Sequence, residues 1–210
     1  MPLKPPVVIL ADGAFPTHSY PLKILYSAGT LICCDGAANR MLGSEREPDV
    51  VVGDLDSITP EARSAFQNQL VELSSQQSND LEKALKWAAE EGASQVTILG
   101  AVGLREDHSL GNLLMLWTDF GAEITLLTDS GQFIPVHTYH DFHSFEGQEV
   151  SLYPDSAHVR ITTSGLAFAL RDSALSSAHK GTSNRSLGGT FSVEVAGGTV
   201  LVYQGYPSED

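Results

Sequence analysis

The sequence predicts an α/β fold in two parts: a parallel sheet flanked by helices, followed by a C-terminal antiparallel β-sandwich. Up to about Gly131, short aliphatic runs alternate with helical patterns. These runs are apolar throughout, as expected for strands that helices cover on both faces. After Gly131 the helical patterns stop, and short strand-like runs follow one another, separated by turn residues. We therefore expect two domains, at 1–131 and 132–210.

The N-terminal part contains five strand candidates and at least three helix candidates. The clearest helix covers 79–92, with Asn79 as a candidate N-cap. A second helix is expected over 109–118, and Thr59 followed by Pro60 marks the start of a third. These elements predict a Rossmann-like parallel sheet domain. The strand candidates are VVILAD, LICCDG, DVVVGD, QVTILG and EITLLTD.

The C-terminal part reads as antiparallel strands. The segment GTFSVEVAGGTVLVY predicts a hairpin closed by Gly197 and Gly198. Short strands with frequent turns favour a small sandwich, with a barrel as the alternative. The strand candidates are FIPVHTYHDF, EVSLYP, HVRITTSGLAF, GTFSVEVA and TVLVYQG.

Composition limits the possible partners. Twelve basic and 26 acidic residues give a net charge of −14, which argues against sequence-independent binding to nucleic acid or to anionic membranes. The two cysteines, Cys33 and Cys34, are adjacent and predict no disulfide framework. No apolar window approaches the length of a membrane span, and the apolar stretch near the N-terminus is too short for a signal-peptide core. We expect a cytoplasmic protein that binds neither nucleic acid nor membrane.

Acidic residues follow several predicted strands at the point where each strand ends. Open parallel sheets bind ligands outside the carboxyl ends of their strands, which makes these residues candidates for a site. The alternative is that Asp-Gly pairs are simply good turn formers. The residues concerned are Asp12, Asp35, Asp54 and Asp129.

Two aspartates with one residue between them, Asp54 and Asp56 in VVVGDLDSI, are harder to explain as a turn alone. In extended backbone both carboxylates would point the same way. At about 4 Å and an effective dielectric near 20, that costs roughly 4 kcal/mol, so a proton or a cation must lie between them. Paired carboxylates suit Mg²⁺, which leaves other positions to water and phosphates. Asp80, at the start of the best helix, could complete the set, although the helix dipole favours an acidic residue there in any case.

Two polar segments suggest ligand contacts. ILGAVGLREDHSLGN joins a strand to a helix through a glycine-rich turn, where Arg105 could hold a phosphate. Three polar residues here each have a plainer alternative: Arg105 as a solvated loop charge, Asp107 as a helix N-cap, and His108 as a surface or packing histidine. HKGTSNRSLGG offers Ser183 and Asn184 as neutral partners for an uncharged heterocycle, unless it is an ordinary connecting loop. The residues alone predict Mg²⁺-assisted handling of a phosphorylated nucleotide.

Taken together in this order, five segments resemble the thiamine pyrophosphokinase family across nearly the whole chain. The resemblance implies transfer of the pyrophosphoryl group of ATP to the hydroxyl of thiamine, with release of AMP. It also implies Mg²⁺ as cofactor and a homodimer with shared active sites. The segments are CDGAANR at 34–40, PDVVVGDLDS at 48–57, SNDLEKAL at 78–85, GLREDHSLGN at 103–112 and GTSN at 181–184.

The resemblance also assigns roles to residues. The metal ligands would be Asp54, Asp56 and Asp80. The catalytic set adds Asp35 and Asp107, either of which, or water, could take the hydroxyl proton. Thiamine would contact Ser183 and Asn184 of the partner subunit. The ATP contacts would be Arg105, Asp107, His108 and Asn112.

Two departures and two alternatives remain at this stage. Gln77 and Asn79 stand where the family often has an acidic residue and a threonine, which leaves the number of metal ligands open. Arg185 follows the Ser-Asn pair, where glutamate is common. A related pyrophosphokinase could act on another heterocyclic alcohol such as a pterin. The other alternative is a non-catalytic sensor that binds a nucleotide or a sugar.

Overall fold

The computed structural model describes residues 2–75 and 78–207, which fold into two compact units. Of these residues, the N-terminal unit contains 2–75, 78–115 and 120–129, and the C-terminal unit contains 116–119 and 130–207. The division into domains at Gly131 stays a prediction. Gln77 lies outside the described residues. Within them, no helix has the length and apolar content needed to span a membrane.

A six-stranded parallel sheet forms the N-terminal unit, in the order β6-β5-β1-β2-β3-β4. The central strands β1 and β2 are buried at every residue because helices cover them. This arrangement confirms the predicted parallel α/β fold. The strands are β1 Val7–Leu10, β2 Thr30–Cys34, β3 Val50–Gly53, β4 Leu70–Glu72, β5 Gln95–Leu99 and β6 Glu123–Leu127.

Four α-helices accompany this sheet: α1 Ser19–Tyr26, α2 Pro60–Ala65, α3 Asp80–Glu90 and α4 Glu106–Met115. The predicted caps are confirmed: the side chain of Thr59 accepts from the N–H of Ala62, and that of Asn79 from the N–H of Glu82. A 3₁₀ helix, Asp35–Met41, follows β2 directly. These caps fix where α2 and α3 begin, at the edge of the sheet that carries the acidic residues.

The predicted helix over 109–118 is displaced in the structure. Helix α4 begins three residues earlier, at Glu106, because acidic residues suit a first helical turn. None of its residues is buried, and Leu110 and Leu114 are exposed. Neither leucine therefore packs into the core of this unit.

Two antiparallel sheets form the C-terminal unit, with strand orders β11-β9-β13-β7 and β10-β12-β8. Their facing side chains share one apolar core, which includes Phe142, Val150, Phe191 and Val202. This confirms the predicted sandwich. The strands are β7 Gly131–Val136, β8 Tyr139–His143, β9 Glu149–Pro154, β10 Arg160–Ser164, β11 Asn184–Arg185, β12 Thr190–Ala196 and β13 Val200–Gly205.

The predicted hairpin around Gly197 and Gly198 was wrong. Strand β12 pairs with β10 and β8, whereas β13 pairs with β7 and β9 in the other sheet. Gly197, at φ +82°, turns the chain from one sheet to the other, and Asp155 accepts the N–H of Thr199 at 2.7 Å to fix the crossing. A two-glycine turn signals a reversal, but the choice of partner strand depends on distant residues.

Candidate active site

Acidic side chains from four segments of the N-terminal unit meet at the carboxyl ends of its parallel strands. Asp12 follows β1, Asp35 follows β2, Asp54 and Asp56 follow β3, and Asp80 opens α3. A cavity of about 410 Å³ lies here, and the glycine-rich segment before α4 forms its other wall. The position agrees with the general rule for ligand sites in open α/β sheets.

Asp35, Asp54 and Asp56 form a carboxylate triad. Each offers one oxygen, and the three oxygens lie within 4.8 Å of one another. Extended backbone was expected between Asp54 and Asp56, but Leu55 has φ +63°, in the left-handed region. A tight turn, with Leu55 buried in the core beneath it, brings the two carboxylates together. Such strain in a non-glycine residue persists only where the surrounding structure holds it.

Asp35 is the buried member of the triad, with 1% of its surface exposed. Its Oδ2 accepts the backbone N–H of Ser57 at 3.0 Å, whereas its buried Oδ1 has no hydrogen-bond partner among the described residues. Burial raises the pKa of Asp35 above its usual range; the Ser57 N–H opposes this, and the neighbouring carboxylates add to it. An orphan oxygen beside two further carboxylates suits a hard divalent cation such as Mg²⁺.

Asp80, predicted as a metal ligand, is paired with a lysine of its own helix. Its Oδ1 lies 2.8 Å from Nζ of Lys83, one turn further along α3, and that ammonium also lies 3.3 Å from Oδ2 of Asp54. Asp80 is close to Asp35 nonetheless, because a Cβ on Gly53 would come within 2.8 Å of Asp35 Cβ and 3.2 Å of Asp80 Oδ1. Glycine is needed there for this close approach. The sequence reasoning missed Lys83, although the i, i+3 spacing of Asp80 and Lys83 was a usable signal.

A second missed residue is Asn39, in the 3₁₀ helix. Its amide donates to the carbonyl of Ser57 at 2.9 Å and accepts the N–H of Thr59 at 2.8 Å. Arg40, its neighbour, lies 3.4 Å from Asp12. Burial raises the pKa of Asp12, and the charge of Arg40 partly offsets that effect. The CDGAANR segment therefore holds the acidic turn in place as well as supplying Asp35.

Of the predicted nucleotide residues, Arg105, His108 and Asn112 line the opposite wall of the cavity, and Asp107 is not among its lining residues. Arg105 forms a two-pronged pair with Asp107, at 3.1 Å and 2.7 Å, and both side chains are exposed. Hydrogen bonds from Arg105 lower the pKa of Asp107 to about 2, which makes this carboxylate a weak proton acceptor. Asp107 lies in the first turn of α4, inside the helix. His108 lines the cavity.

Asn112 has its amide committed to neighbouring segments. It donates to the carbonyl of Ala101 at 2.7 Å and accepts from the amide of Asn79 at 3.1 Å. It therefore ties the glycine-rich segment to the start of α3. Asp129, the remaining acidic residue at a strand end, accepts the N–H groups of Thr17 and His18 and holds the loop before α1. It is not among the residues that line the cavity.

Ser183 and Asn184 lie in the C-terminal unit. Ser183 has φ +64°, and Asn184 is buried at the start of β11. The Asn184 amide accepts the N–H of Phe168 at 3.0 Å and donates to the Phe168 carbonyl at 2.9 Å. Phe168 is 71% exposed. The amide of Asn184 thus holds the backbone of an exposed aromatic residue. Phe168 was not predicted as a site residue, because the neighbouring Gly165 and Leu166 give no chemical signal.

Arg185 and Lys180 carry the charge of this segment. Arg185 follows Asn184 in β11, and its backbone N–H donates to the Asn184 side chain at 2.9 Å. Its side chain and that of Lys180 are exposed.

Comparison with known proteins identifies the family. The family model described as thiamin pyrophosphokinase, catalytic domain, matches residues 22–128, and the model of the substrate-binding domain matches 131–203. The chain belongs to the thiamine pyrophosphokinase family. Both halves of the fold are covered, as the sequence resemblance predicted.

Individual relatives agree with this assignment. Thiamine pyrophosphokinase 1 of Oryza sativa subsp. japonica is 31% identical over 176 residues, which cover 69% of this chain and 67% of the rice protein. The Bacillus subtilis thiamine pyrophosphokinase is 36% identical over 74 residues, 33% of this chain and 35% of that protein. The alignment therefore spans about two thirds of the rice relative.

Solved structures of the family share the fold. The thiamine pyrophosphokinase of Bacillus subtilis superposes with a TM-score of 0.80 at 22% identity, covering 96% of this chain and 99% of its own. The Geobacillus thermodenitrificans structure gives 0.81 at 21% identity, covering 97% and 98%. The whole two-part architecture, and not only the parallel sheet, is therefore common to these proteins.

Proposed function

We propose that this protein is an ATP:thiamine diphosphotransferase, which moves the pyrophosphoryl group of ATP to the hydroxyl of thiamine and releases AMP. The observation that carries the proposal is the carboxylate triad of Asp35, Asp54 and Asp56 at the strand ends, with its orphan buried oxygen. Family membership in both halves of the chain supports the choice of substrates.

To catalyse pyrophosphoryl transfer, a protein mainly has to position the two substrates and neutralise the charge on the phosphate oxygens. Mg²⁺, when bound, would supply that neutralisation. Asp35, Asp54 and Asp56 would hold the ion, and Asp80 would support the set through Lys83. The tight turn at Leu55 and the amide of Asn39 keep these carboxylates in place before substrate arrives.

On the opposite wall, the guanidinium of Arg105 would donate two hydrogen bonds to phosphate oxygens. The nucleotide would then replace Asp107 as the partner of Arg105. His108 and the glycine-rich segment complete that wall. In the C-terminal unit, Phe168 offers an exposed ring on which a flat heterocycle can stack, and Asn184 fixes the backbone behind it. The acidic chain also suits thiamine, whose thiazolium is cationic.

In the balanced reaction, the hydroxyl oxygen of thiamine forms a bond to the β-phosphorus while the bond from that phosphorus to the oxygen of the AMP leaving group breaks. The hydroxyl proton leaves to a carboxylate or to water. A purified sample given ATP, Mg²⁺ and thiamine should therefore yield AMP and thiamine diphosphate in equal amounts. ADP as the product, or AMP formed only with a pterin alcohol, would overturn the proposal.

The proposal extends to a homodimer with shared active sites, which the family resemblance implies, and to a cytoplasmic location, which the sequence features favour. Free buried thiols at Cys33 and Cys34 are compatible with a reducing compartment. Light scattering coupled to gel filtration measures the mass in solution, and a monomer would contradict shared sites. Cell fractionation tests the location.

A further inference from the structure

Lys83 lies among the acidic residues of the site with its ammonium group enclosed. Its Nζ is 2.8 Å from Asp80 Oδ1 and 3.3 Å from Asp54 Oδ2, and only 5% of the side chain is exposed. It belongs to the buried face of α3, together with Leu81, Ala84 and Leu85. A lysine so placed is not a solvated surface charge, since lysine is almost never buried without partners.

The surroundings of Lys83 keep it charged. Two carboxylates lie within 3.3 Å of its Nζ, and opposite charges at that distance favour the charged form of lysine. A fixed positive charge is therefore already present where the carboxylates crowd together.

We propose that Lys83 is a built-in counter-cation, which holds Asp54 and Asp80 in place in the metal-free protein and weakens the binding of a divalent cation alone. The cation then binds well only together with the phosphates of the nucleotide. Lys83 is on this view a positioning residue for the site. The part of the inference that concerns nucleotide rests on the proposed function, whereas the part that concerns the bare metal does not.

The physical reason is competition for Asp54. A divalent cation next to Asp54 meets an ammonium at hydrogen-bond distance from the same carboxylate, and like charges at such distances repel strongly. Phosphate oxygens add negative charge and give the ammonium a new acceptor. The metal and Lys83 then no longer depend on the same carboxylate oxygens, so the penalty on metal binding falls.

The test measures Mn²⁺ binding to the whole, nucleotide-free protein by the electron paramagnetic resonance of free Mn²⁺. Lys83→Met keeps the bulk and removes the charge, and Lys83→Arg keeps the charge. Lys86→Met is the matched control, because Lys86 lies on the same helix, is 56% exposed and pairs with Glu82. We expect Lys83→Met to bind Mn²⁺ about tenfold more tightly than wild type, and the other two variants to stay within about twofold. Unchanged or weaker binding in Lys83→Met overturns the inference.

Stability gives a second readout. Lys83→Met leaves carboxylates without their counter-charge, so its thermal midpoint should fall in chelator and recover on adding Mn²⁺. Wild type should show a smaller dependence on Mn²⁺. If Lys83→Met and Lys83→Gln fail to fold even with Mn²⁺ present, or unfold identically with and without it, Lys83 is an ordinary packing residue and the inference fails.

A third arm adds a non-hydrolysable ATP analogue. The analogue should tighten Mn²⁺ binding to wild type by a larger factor than to Lys83→Met, and equal factors overturn the nucleotide part. The AMP assay on wild type tests the proposed function independently of the Mn²⁺ titrations. A wild type that makes no AMP with thiamine contradicts that function, while the nucleotide-free Mn²⁺ titration still decides the role of Lys83.

Discussion

Asp35 and Ser57 are joined by a hydrogen bond across 22 residues of sequence, in which Asp35 Oδ2 accepts the Ser57 N–H at 3.0 Å. The bond ties the end of β2 to the acidic turn after β3. The second oxygen of Asp35 stays buried and unpartnered within the described part of the chain. One oxygen of Asp35 thus stabilises the turn, and the other is left for a ligand. In the absence of that ligand, the buried unpaired oxygen lowers the free energy of unfolding.

The first prediction concerns this cost. Asparagine at position 35 can still accept the Ser57 N–H, and it removes a buried charge that faces other carboxylates. We expect Asp35→Asn to raise the free energy of unfolding of the metal-free protein by about 1 kcal/mol at neutral pH, and to abolish AMP production. Chemical denaturation in chelator measures the first effect, and the coupled AMP assay measures the second.

The pH dependence follows from the raised pKa of Asp35. Because the folded state holds this proton more firmly than the unfolded state, stability from Asp35 is greatest at low pH. It is lost as pH rises from the ordinary value of 3.8 through the raised folded pKa. The stabilising effect of Asp35→Asn should therefore shrink towards zero below about pH 4. An effect of constant size across pH would contradict the charge explanation.

Local sequence predicted the elements that local chemistry controls. The apolar runs identified the parallel strands, and Thr59 and Asn79 marked the starts of α2 and α3 because a cap acts within one turn. Asp35 and Asp54 were expected in one site because they follow strands of the same sheet, β2 and β3, whose ends meet at one edge. The predicted metal set was Asp54, Asp56 and Asp80, and the structure groups Asp35 with the first two. For the caps and the strands, neighbours in the sequence decide the structure.

The features that sequence reasoning missed depend on contacts far along the chain. Lys83 reads as one more helical lysine until the fold places Asp54 beside it, 29 residues away. The glycine pair at 197–198 gave a correct turn but not the sheet that β13 joins. The left-handed Leu55 was missed because its side chain is held by the core beneath and not by any turn motif. Local patterns carry no record of such partners.

The second prediction concerns the exposed side of the triad. Asp54→Asn and Asp56→Asn each remove one negative charge without changing shape, so the fold should persist. Turnover should fall by about 100-fold or more, because the cation binds more weakly and no longer neutralises the phosphates. Glu61→Gln is the control, as Glu61 is an exposed acidic residue in the first turn of nearby α2. Wild-type turnover in either asparagine variant, at saturating ATP and Mg²⁺, contradicts the metal assignment.

The third prediction separates the two functions of Arg105. Arg105→Ala should raise the KM for ATP about tenfold while leaving the KM for thiamine unchanged, because the forked contact to phosphate is lost. The substitution should also return the pKa of Asp107 from about 2 towards its ordinary value of 3.8, which NMR titration measures. Stability should change little, since the pair is exposed on both sides.

Arg105→Lys sharpens this test, since lysine keeps the charge but not the planar fork. Its KM for ATP should fall between those of wild type and Arg105→Ala. If both variants keep the wild-type KM for ATP, Arg105 is a solvated charge paired with Asp107, and the nucleotide lies elsewhere in the cavity.

The last prediction distinguishes a direct contact of Asn184 with thiamine from an effect through Phe168. Asn184→Ala removes hydrogen bonds to the Phe168 backbone and to the N–H of Arg185, so it should cost about 2 kcal/mol of stability and raise the KM for thiamine. Phe168→Ala should raise that KM similarly at nearly unchanged stability, because the ring is exposed.

The double variant Ser183→Ala, Asn184→Ala should raise the KM for thiamine more than that for ATP. Were Phe168→Ala to leave the KM for thiamine unchanged while Asn184→Ala raised it, Asn184 would act without the ring. Equal changes for both substrates would remove this segment from the thiamine site altogether, because loss of a heterocycle contact cannot weaken ATP to the same degree.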